Sequence, residues 1–364
     1  MNICIVCGAR PNFIKVAPVI RAIEAAQGQG KNVDFKLVFT GAEDDPTLEN
    51  GLFDDLQVRR PDVCLGVTCV NLNELTGQVM SAFENYLRQN PTDTVIVVDD
   101  LASTMATAIV TKKQGLRLVH LAAGTRSFDI RMPKEINRLV IDGLSDILFT
   151  AGMSNNSIAN REGAELSKVY MVGNVLIDNL RFNRNRLVRP AVFDTLGLEE
   201  KRYVVFTLNR KALIENKENL RQMLESVARN NNGMPIVAPL RGLAKSVVEE
   251  CQGLMETPVL TLVDPMPYLE FSYLTAHAAG IITDSGNVAE EATFNQVPCI
   301  TLNSYTEHEE TVKVGTNILV GEDAEQLGEE FRNMVSGQWK SGNLPDRWDG
   351  RSAERIVQIL LEQR

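Results

Sequence analysis

Three stretches of this sequence gather charged and hydroxyl side chains directly after short apolar runs. The first is Gly8-Ala9-Arg10-Pro11, which leads into a helical face of Phe13, Ile14, Ala17 and Ile20. A glycine at such a turn lets a ligand approach the backbone, Pro11 suits a first helical turn, and Arg10 can clamp phosphate beside the free N–H groups of a helix start. The same letters also read as an ordinary strand-to-helix turn, and Lys15 as a solvated helix residue. The second stretch is Thr283-Asp284-Ser285-Gly286-Asn287, ahead of a helix carrying Glu290 and Glu291. Ser285 and the amides after it can bond phosphate, while a carboxylate one to two turns into the helix can accept ribose hydroxyls, a combination suited to a nucleotide. Its alternative is that Asp284 or Ser285 only caps the helix. The third joins VVDDLAST (97–104) to HLAAGTRSFDIRMPKEINR (120–138). There Asp99 and Asp100, with Arg126, Lys134, Glu135 and Arg138, can shift one another's proton affinities for acid/base work, or form a surface ion-pair cluster.

Residues that follow strands must be held by a sheet. The runs ICIVC (2–6), FKLVF (35–39), VIVV (95–98), RLVHL (117–121), ILFT (147–150) and VYMV (169–172) are apolar on both faces, as strands covered by helices on two sides require. A second series follows: YVVFT (203–207), MPIVA (234–238), VLTLV (259–263), GIIT (280–283), CITL (299–302) and NILV (317–320). Helical segments at 218–228 and 288–295 separate members of this series. The expectation is an α/β chain of two doubly wound, Rossmann-like parallel sheets facing a cleft. The first domain spans 1–172, completed by an amphipathic helix in 351–364; the second spans 173–350.

A length of 364 residues supports two such domains. With 37 Lys and Arg against 47 Asp and Glu, the net charge of −10 argues against broad attraction to nucleic acid or anionic lipid. No apolar run reaches membrane-span length, and the N-terminus lacks the pattern of a secretory signal, so a cytoplasmic protein is expected. Six sparse cysteines read as reduced thiols, and His120, His277 and His308 lack metal-ligand spacing. No metal is expected. No nicotinamide cofactor is expected either, because the first turn lacks the three-glycine dinucleotide pattern.

Taken together, the chain resembles the non-hydrolysing UDP-N-acetylglucosamine 2-epimerases, which have the two-domain GT-B fold. The resemblance runs from GARPNFIKVAPVI through FTG, the aspartate after VIVV, H-x-x-AG-x-R, P-x-E-x-NR, GN-x-x-ID and DSG-x-x-x-EEA to TE-x-x-E-T. It implies an isomerase of cell-surface polysaccharide biosynthesis that interconverts UDP-N-acetylglucosamine and UDP-N-acetylmannosamine by eliminating and re-adding UDP at C1 and C2. A homodimer is expected by the same analogy. The resemblance assigns Arg10, Lys15 and Arg138 to substrate binding, Asp100 to catalysis, Phe271 to the uracil, Ser285 and Gly286 to the diphosphate, and Glu291 to the ribose. Several family positions differ here. Ala122 stands for the glutamate of H-x-E-A-G, Lys134 for the first glutamate of P-E-E-x-N-R, Asn209 for the histidine of T-G-H-R-R, His308 for the arginine of T-E-R-P-E, and Ala42 and Glu43 for the pair in T-G-Q-H. Asp99, Glu135 and Glu43 are candidate replacements for the missing carboxylates, and Asn209 and His308 remain candidate ligands. The loss at Ala42 and Glu43 bears against activation by a second nucleotide sugar. A non-catalytic UDP-sugar-binding homologue and a GT-B glycosyltransferase are the alternative readings.

Overall fold

The computed structural model describes residues 1–163 and 167–363, which form two compact units: Met1–Phe182 with Asp346–Arg364, and Asn183–Pro345. In unit 1 the strands are β1 (Asn2–Cys7), β2 (Asp34–Phe39), β3 (Val63–Cys64), β4 (Thr94–Val98), β5 (Arg117–Leu121), β6 (Ile147–Thr150) and β7 (Lys168–Met171). They pair in the order β3-β2-β1-β4-β5-β6-β7, every neighbouring pair parallel. Unit 2 contains β8 (Val204–Phe206), β9 (Ile236–Pro239), β10 (Thr261–Val263), β11 (Gly280–Thr283), β12 (Cys299–Thr301) and β13 (Asn317–Leu319). Their order is β10-β9-β8-β11-β12-β13, again parallel. The expected class, two doubly wound parallel sheets, is what forms.

Alternation along the strands shows why two-sided apolar runs became buried sheets. Val204 and Phe206 point into one hydrophobic cluster with Leu220, Met223 and Phe331, whereas Tyr203 and Val205 point into another with Phe193, Leu274 and Ala289. Successive strand residues face opposite layers, so a strand with a helix on each face must be apolar throughout. β4 meets the same demand: Val95, Ile96, Val97 and Val98 are fully buried.

In each sheet the order reverses once, between β1 and β4 and between β8 and β11. A reversal sends the two following connections to opposite sides and opens a crevice beyond the strand ends, where ligands bind in such sheets. The residues after β1 and β4 (8–12 and 99–104) therefore adjoin in unit 1. Those after β8 and β11 (207–211 and 284–287) adjoin in unit 2.

The terminal helix, Ser352–Glu362, packs in unit 1 against helix Arg10–Gly28. Its start lacks a local side-chain cap. The buried Asp178 carboxylate supplies one, accepting the N–H groups of Ser352 at 3.1 Å and Ala353 at 2.7 Å. Asp178→Ala should lower unfolding free energy by about 1–3 kcal/mol, because two buried amides lose their acceptor. Denaturant melts of the two proteins test this; equal midpoints and slopes would remove the cap from the account.

Candidate functional site

Unit 1 brings the acidic and basic residues of the third stretch together. Asp99 adopts φ 59°, a left-handed conformation that aspartate tolerates better than most residues. Its carboxylate is held by Lys15 Nζ at 2.6 Å and Asn12 Nδ2 at 3.0 Å. Asp100 turns the other way. Its Oδ2 accepts from Arg138 Nε at 2.8 Å and Nη2 at 2.6 Å, and Oδ1 lies 3.5 Å from Lys134 Nζ. Burial alone would raise the Asp100 carboxyl, but the charges of Lys134, Arg138 and Lys15 together hold it below the usual carboxylate value.

Glu135 is spent differently. With 2% of its side chain exposed, it accepts the Ser127 N–H and hydroxyl, both at 2.9 Å, the Phe128 N–H at 3.0 Å and Arg138 Nη1 at 3.1 Å. Burial pushes this carboxyl up, and those donors outweigh it and hold it below its ordinary value. Glu135 thus braces Arg138 and the 127–128 turn. The cluster is interior rather than a surface ion-pair network, except for Lys134, whose side chain is 59% exposed.

Other residues of the first stretch are differently placed. The Gly8 and Ala9 amides donate to Asn12 Oδ1 at 2.9 and 3.2 Å, so the turn after β1 uses its own N–H groups internally. The room at Gly8 belongs to a protein group, since a Cβ there would lie 2.3 Å from Ser103 Oγ. Arg10 is partly exposed and pairs with Glu49 rather than with the Asp99–Asp100 cluster. Glu43 is exposed, and Ala42 precedes it in the same loop.

Sequence reading named Arg126 but overlooked its partners in the layer beneath Asp99 and Asp100. His120 Nε2 donates to the Asp99 carbonyl at 2.9 Å, and Nδ1 meets Asp142 Oδ1 at 2.6 Å. Asp142 Oδ2 also accepts Arg126 Nη1 at 2.7 Å and the Gly124 N–H at 3.1 Å, and Arg126 Nε continues to Glu162 at 2.8 Å. A signal was present: Glu135, Arg138 and Asp142 recur at intervals of three and four, one face of helix Pro133–Leu144. Ala122, which adopts φ 62°, lies in the turn leaving β5 and offers no proton-transfer group.

Unit 2 assembles the second stretch. Ser285 is the N-terminal cap position of helix Gly286–Phe294, yet its side chain makes no cap bond. Asp284 does not cap that helix either. Its Oδ2 accepts the backbone N–H groups of Asn209 at 2.7 Å and Arg210 at 2.5 Å, tying the loop after β8 to the loop after β11. Asn209 itself is exposed. Arg210, which sequence reading passed over, bonds Asn303 and the Leu302 carbonyl and pairs with Glu322 at 2.9 Å. Phe271, on helix Tyr268–Ala276, is half-buried against the cluster that includes Val288, Ala289 and Ala292 of helix Gly286–Phe294.

The carboxylates of that helix are its unusual feature. Glu290 is paired with His308 Nδ1 at 2.7 Å. Glu291 is buried, and its Oε2 has no hydrogen-bond partner among the described residues. Burial first, and the nearby Glu290 charge second, push the Glu291 carboxyl up to about 8. A buried polar atom without a partner costs about 1–3 kcal/mol, and a ligand hydroxyl donor would remove that cost. Among the described residues no group of three or more His, Cys, Asp or Glu side chains is placed to hold a metal ion, and no helix is long and apolar enough to cross a membrane.

Comparison with known proteins gives one consistent result. The family profile described as UDP-N-acetylglucosamine 2-epimerase matches residues 25–361. The chain is 35% identical to the UDP-N-acetylglucosamine 2-epimerase of Methanocaldococcus jannaschii, with 99% of each covered. It is 31% identical to the UDP-2,3-diacetamido-2,3-dideoxy-D-glucuronate 2-epimerase of Pseudomonas aeruginosa, with 100% of each covered. The solved structure of the Methanocaldococcus jannaschii enzyme in complex with UDP-GlcNAc and UDP superposes with a TM-score of 0.85 at 32% identity, over 100% of both chains.

Proposed function

The chain belongs to the UDP-N-acetylglucosamine 2-epimerase family, and from that premise we propose that it interconverts UDP-N-acetylglucosamine and UDP-N-acetylmannosamine, or the same epimers of a related UDP-hexosamine. One observation carries the nucleotide side of this reading. Glu291, a buried carboxyl with one oxygen unpartnered among the described residues, lies in the second turn of a helix whose start has no side-chain cap. A UDP ribose supplies hydroxyl donors to such a carboxyl, and its diphosphate suits the uncapped amides after Ser285 and Gly286. Phe271 offers an apolar face to the uracil. The relative solved with UDP-GlcNAc and UDP supports the same ligand class.

On the sugar side, Asp100 accepts the C2 proton. The C2–H electrons form the C1=C2 double bond as the C1–O bond breaks, and UDP leaves with that bond's electron pair, giving a 2-acetamidoglucal. Re-addition of UDP to C1, with a proton delivered to the opposite face of C2, yields the epimer. Asp100 is suited to the base role because Arg138 and Lys134 keep it ionised, and Asp99 with Lys15 and Asn12 fixes the backbone beside it. Glu135 positions Arg138, and Arg10 is a further candidate for the substrate. The relative acting on a diacetamido-glucuronate supports leaving the sugar's C3 and C6 substituents open. Six free cysteines support a reducing, cytoplasmic setting.

The test is incubation of the unmodified protein with UDP-N-acetylglucosamine, separating the two epimers over time. Appearance of UDP-N-acetylmannosamine supports the proposal. Binding of UDP without any epimer from any UDP-N-acetylhexosamine would replace it with a non-catalytic nucleotide-sugar binder.

A further inference from the structure

An imidazole closes one side of the Gly286 turn. His308 is the residue before the short helix Glu309–Lys313, and its Nδ1 lies 2.7 Å from Glu290 Oε1. The opposite edge of the ring lies against the glycine: a Cβ on Gly286 would sit 2.4 Å from both Nε2 and Cδ2. A side chain at 286 would have to displace the imidazole. A carboxylate at Nδ1 keeps that nitrogen protonated, so Nε2 is the nitrogen that gains and loses a proton. Nε2 is also the nitrogen that faces the first residue of helix Gly286–Phe294.

We propose that His308 is a titratable ligand of the diphosphate, effective as imidazolium and lost as it becomes neutral, so that UDP-sugar affinity and departure of the UDP group weaken as pH rises. This rests on the reading that unit 2 binds UDP. The family pattern T-E-R-P-E places arginine at this position, a cation at every physiological pH; histidine changes charge between about pH 5 and 8. Charged groups on the elements packed around it are Glu290 and Glu291 of helix Gly286–Phe294, Glu309, Glu310 and Lys313 of the following helix, and Asp284 before the turn. Glu291, protonated below about pH 8, adds no charge there, and the carboxylate that faces the ring directly is Glu290 at 2.7 Å. The 22% exposure of the His308 side chain leaves it open to solvent protons. Two opposed pH effects then act on one ligand. Ionisation of Glu291, raised to about 8, tightens the hold on ribose as pH rises, while His308 loosens the hold on diphosphate.

The experiment is calorimetric titration of the full chain with UDP-N-acetylglucosamine, whose diphosphate keeps its charge through the neutral range, at about pH 6 and about pH 8. The readout is the affinity of the unmodified protein relative to His308→Arg, which cancels the Glu291 contribution. That ratio should fall about tenfold or more from the lower to the higher pH, as expected when a charged hydrogen bond becomes a neutral one. His308→Gln, neutral throughout and close in shape, should bind weakly at both values. Affinities of unmodified protein and His308→Arg that change in parallel, or a His308→Gln variant that follows the unmodified protein at both pH values, would overturn the inference while the UDP site stands. Absence of UDP-N-acetylglucosamine binding by the unmodified protein at both pH values would overturn the UDP site and this inference together.

Discussion

Asp100→Asn is expected to lower kcat for epimerisation by about 10²- to 10⁴-fold, the usual worth of a positioned acid or base. Affinity for UDP should stay within a few-fold, because the groups assigned to UDP lie in the other unit. The asparagine keeps an oxygen for Arg138 and the size of the side chain, and Arg138 retains Glu135, so the effect reports lost proton transfer rather than collapse. The pH profile sharpens the test. A base that burial would raise but Lys134, Arg138 and Lys15 hold below its usual value stays ionised through the neutral range, so its acid limb in kcat/KM belongs below the ordinary carboxylate range. Lys134→Ala removes one of the cations and should move that limb upward. An Asp100→Asn variant with undiminished turnover would exclude Asp100 as the base.

Glu291→Gln carries the second large effect, with opposite signs in the two states. In the ligand-free protein the carboxyl pKa rises from 4.5 to about 8 through burial and the Glu290 charge. The folded state therefore holds a proton that the unfolded chain releases. The stability contributed by that proton is complete below about pH 4.5, declines as pH rises, and is gone above about pH 8. Glutamine does not titrate, so the variant should lack this decline and be the more stable protein in mild alkali. It should bind UDP about 10- to 100-fold more weakly, because hydrogen bonds from ribose hydroxyls to a carboxylate exceed those to an amide. Paired denaturant melts and UDP titrations check both signs. A variant that binds UDP as tightly as the parent would remove Glu291 from the ribose site.

The sheets could be read in the sequence because burial on both faces leaves a strand no room for polar side chains, as in ICIVC and VIVV. The strand β3 escaped notice: two residues long at a sheet edge, its Val63 and Cys64 sit in the mixed stretch DVCLG. Docking of the terminal helix depends on Asp178, 174 positions from Ser352, and no local pattern encodes so distant a cap. Residue types identified the candidate site, but environment assigns the roles. Asp99 and Asp100 are neighbours in sequence, yet one is locked by Lys15 and Asn12 while the other turns to Arg138 and Lys134. Glu290 and Glu291 read alike on a helix, and only packing gives one a histidine and leaves an oxygen of the other without a partner among the described residues.

The central claim is that this chain breaks and remakes the C2–H bond of a UDP-N-acetylhexosamine even though Ala122, Lys134 and Asn209 stand where its family has glutamate, glutamate and histidine. Its most direct measurement is the NMR signal of the sugar C2 proton when the unmodified protein is incubated with UDP-N-acetylglucosamine in deuterated water. Deuterium should accumulate at C2 in both epimers, and Asp100→Asn should slow it by the factor given above. A C2 proton that persists through prolonged incubation, with UDP-N-acetylglucosamine bound, would contradict the claim.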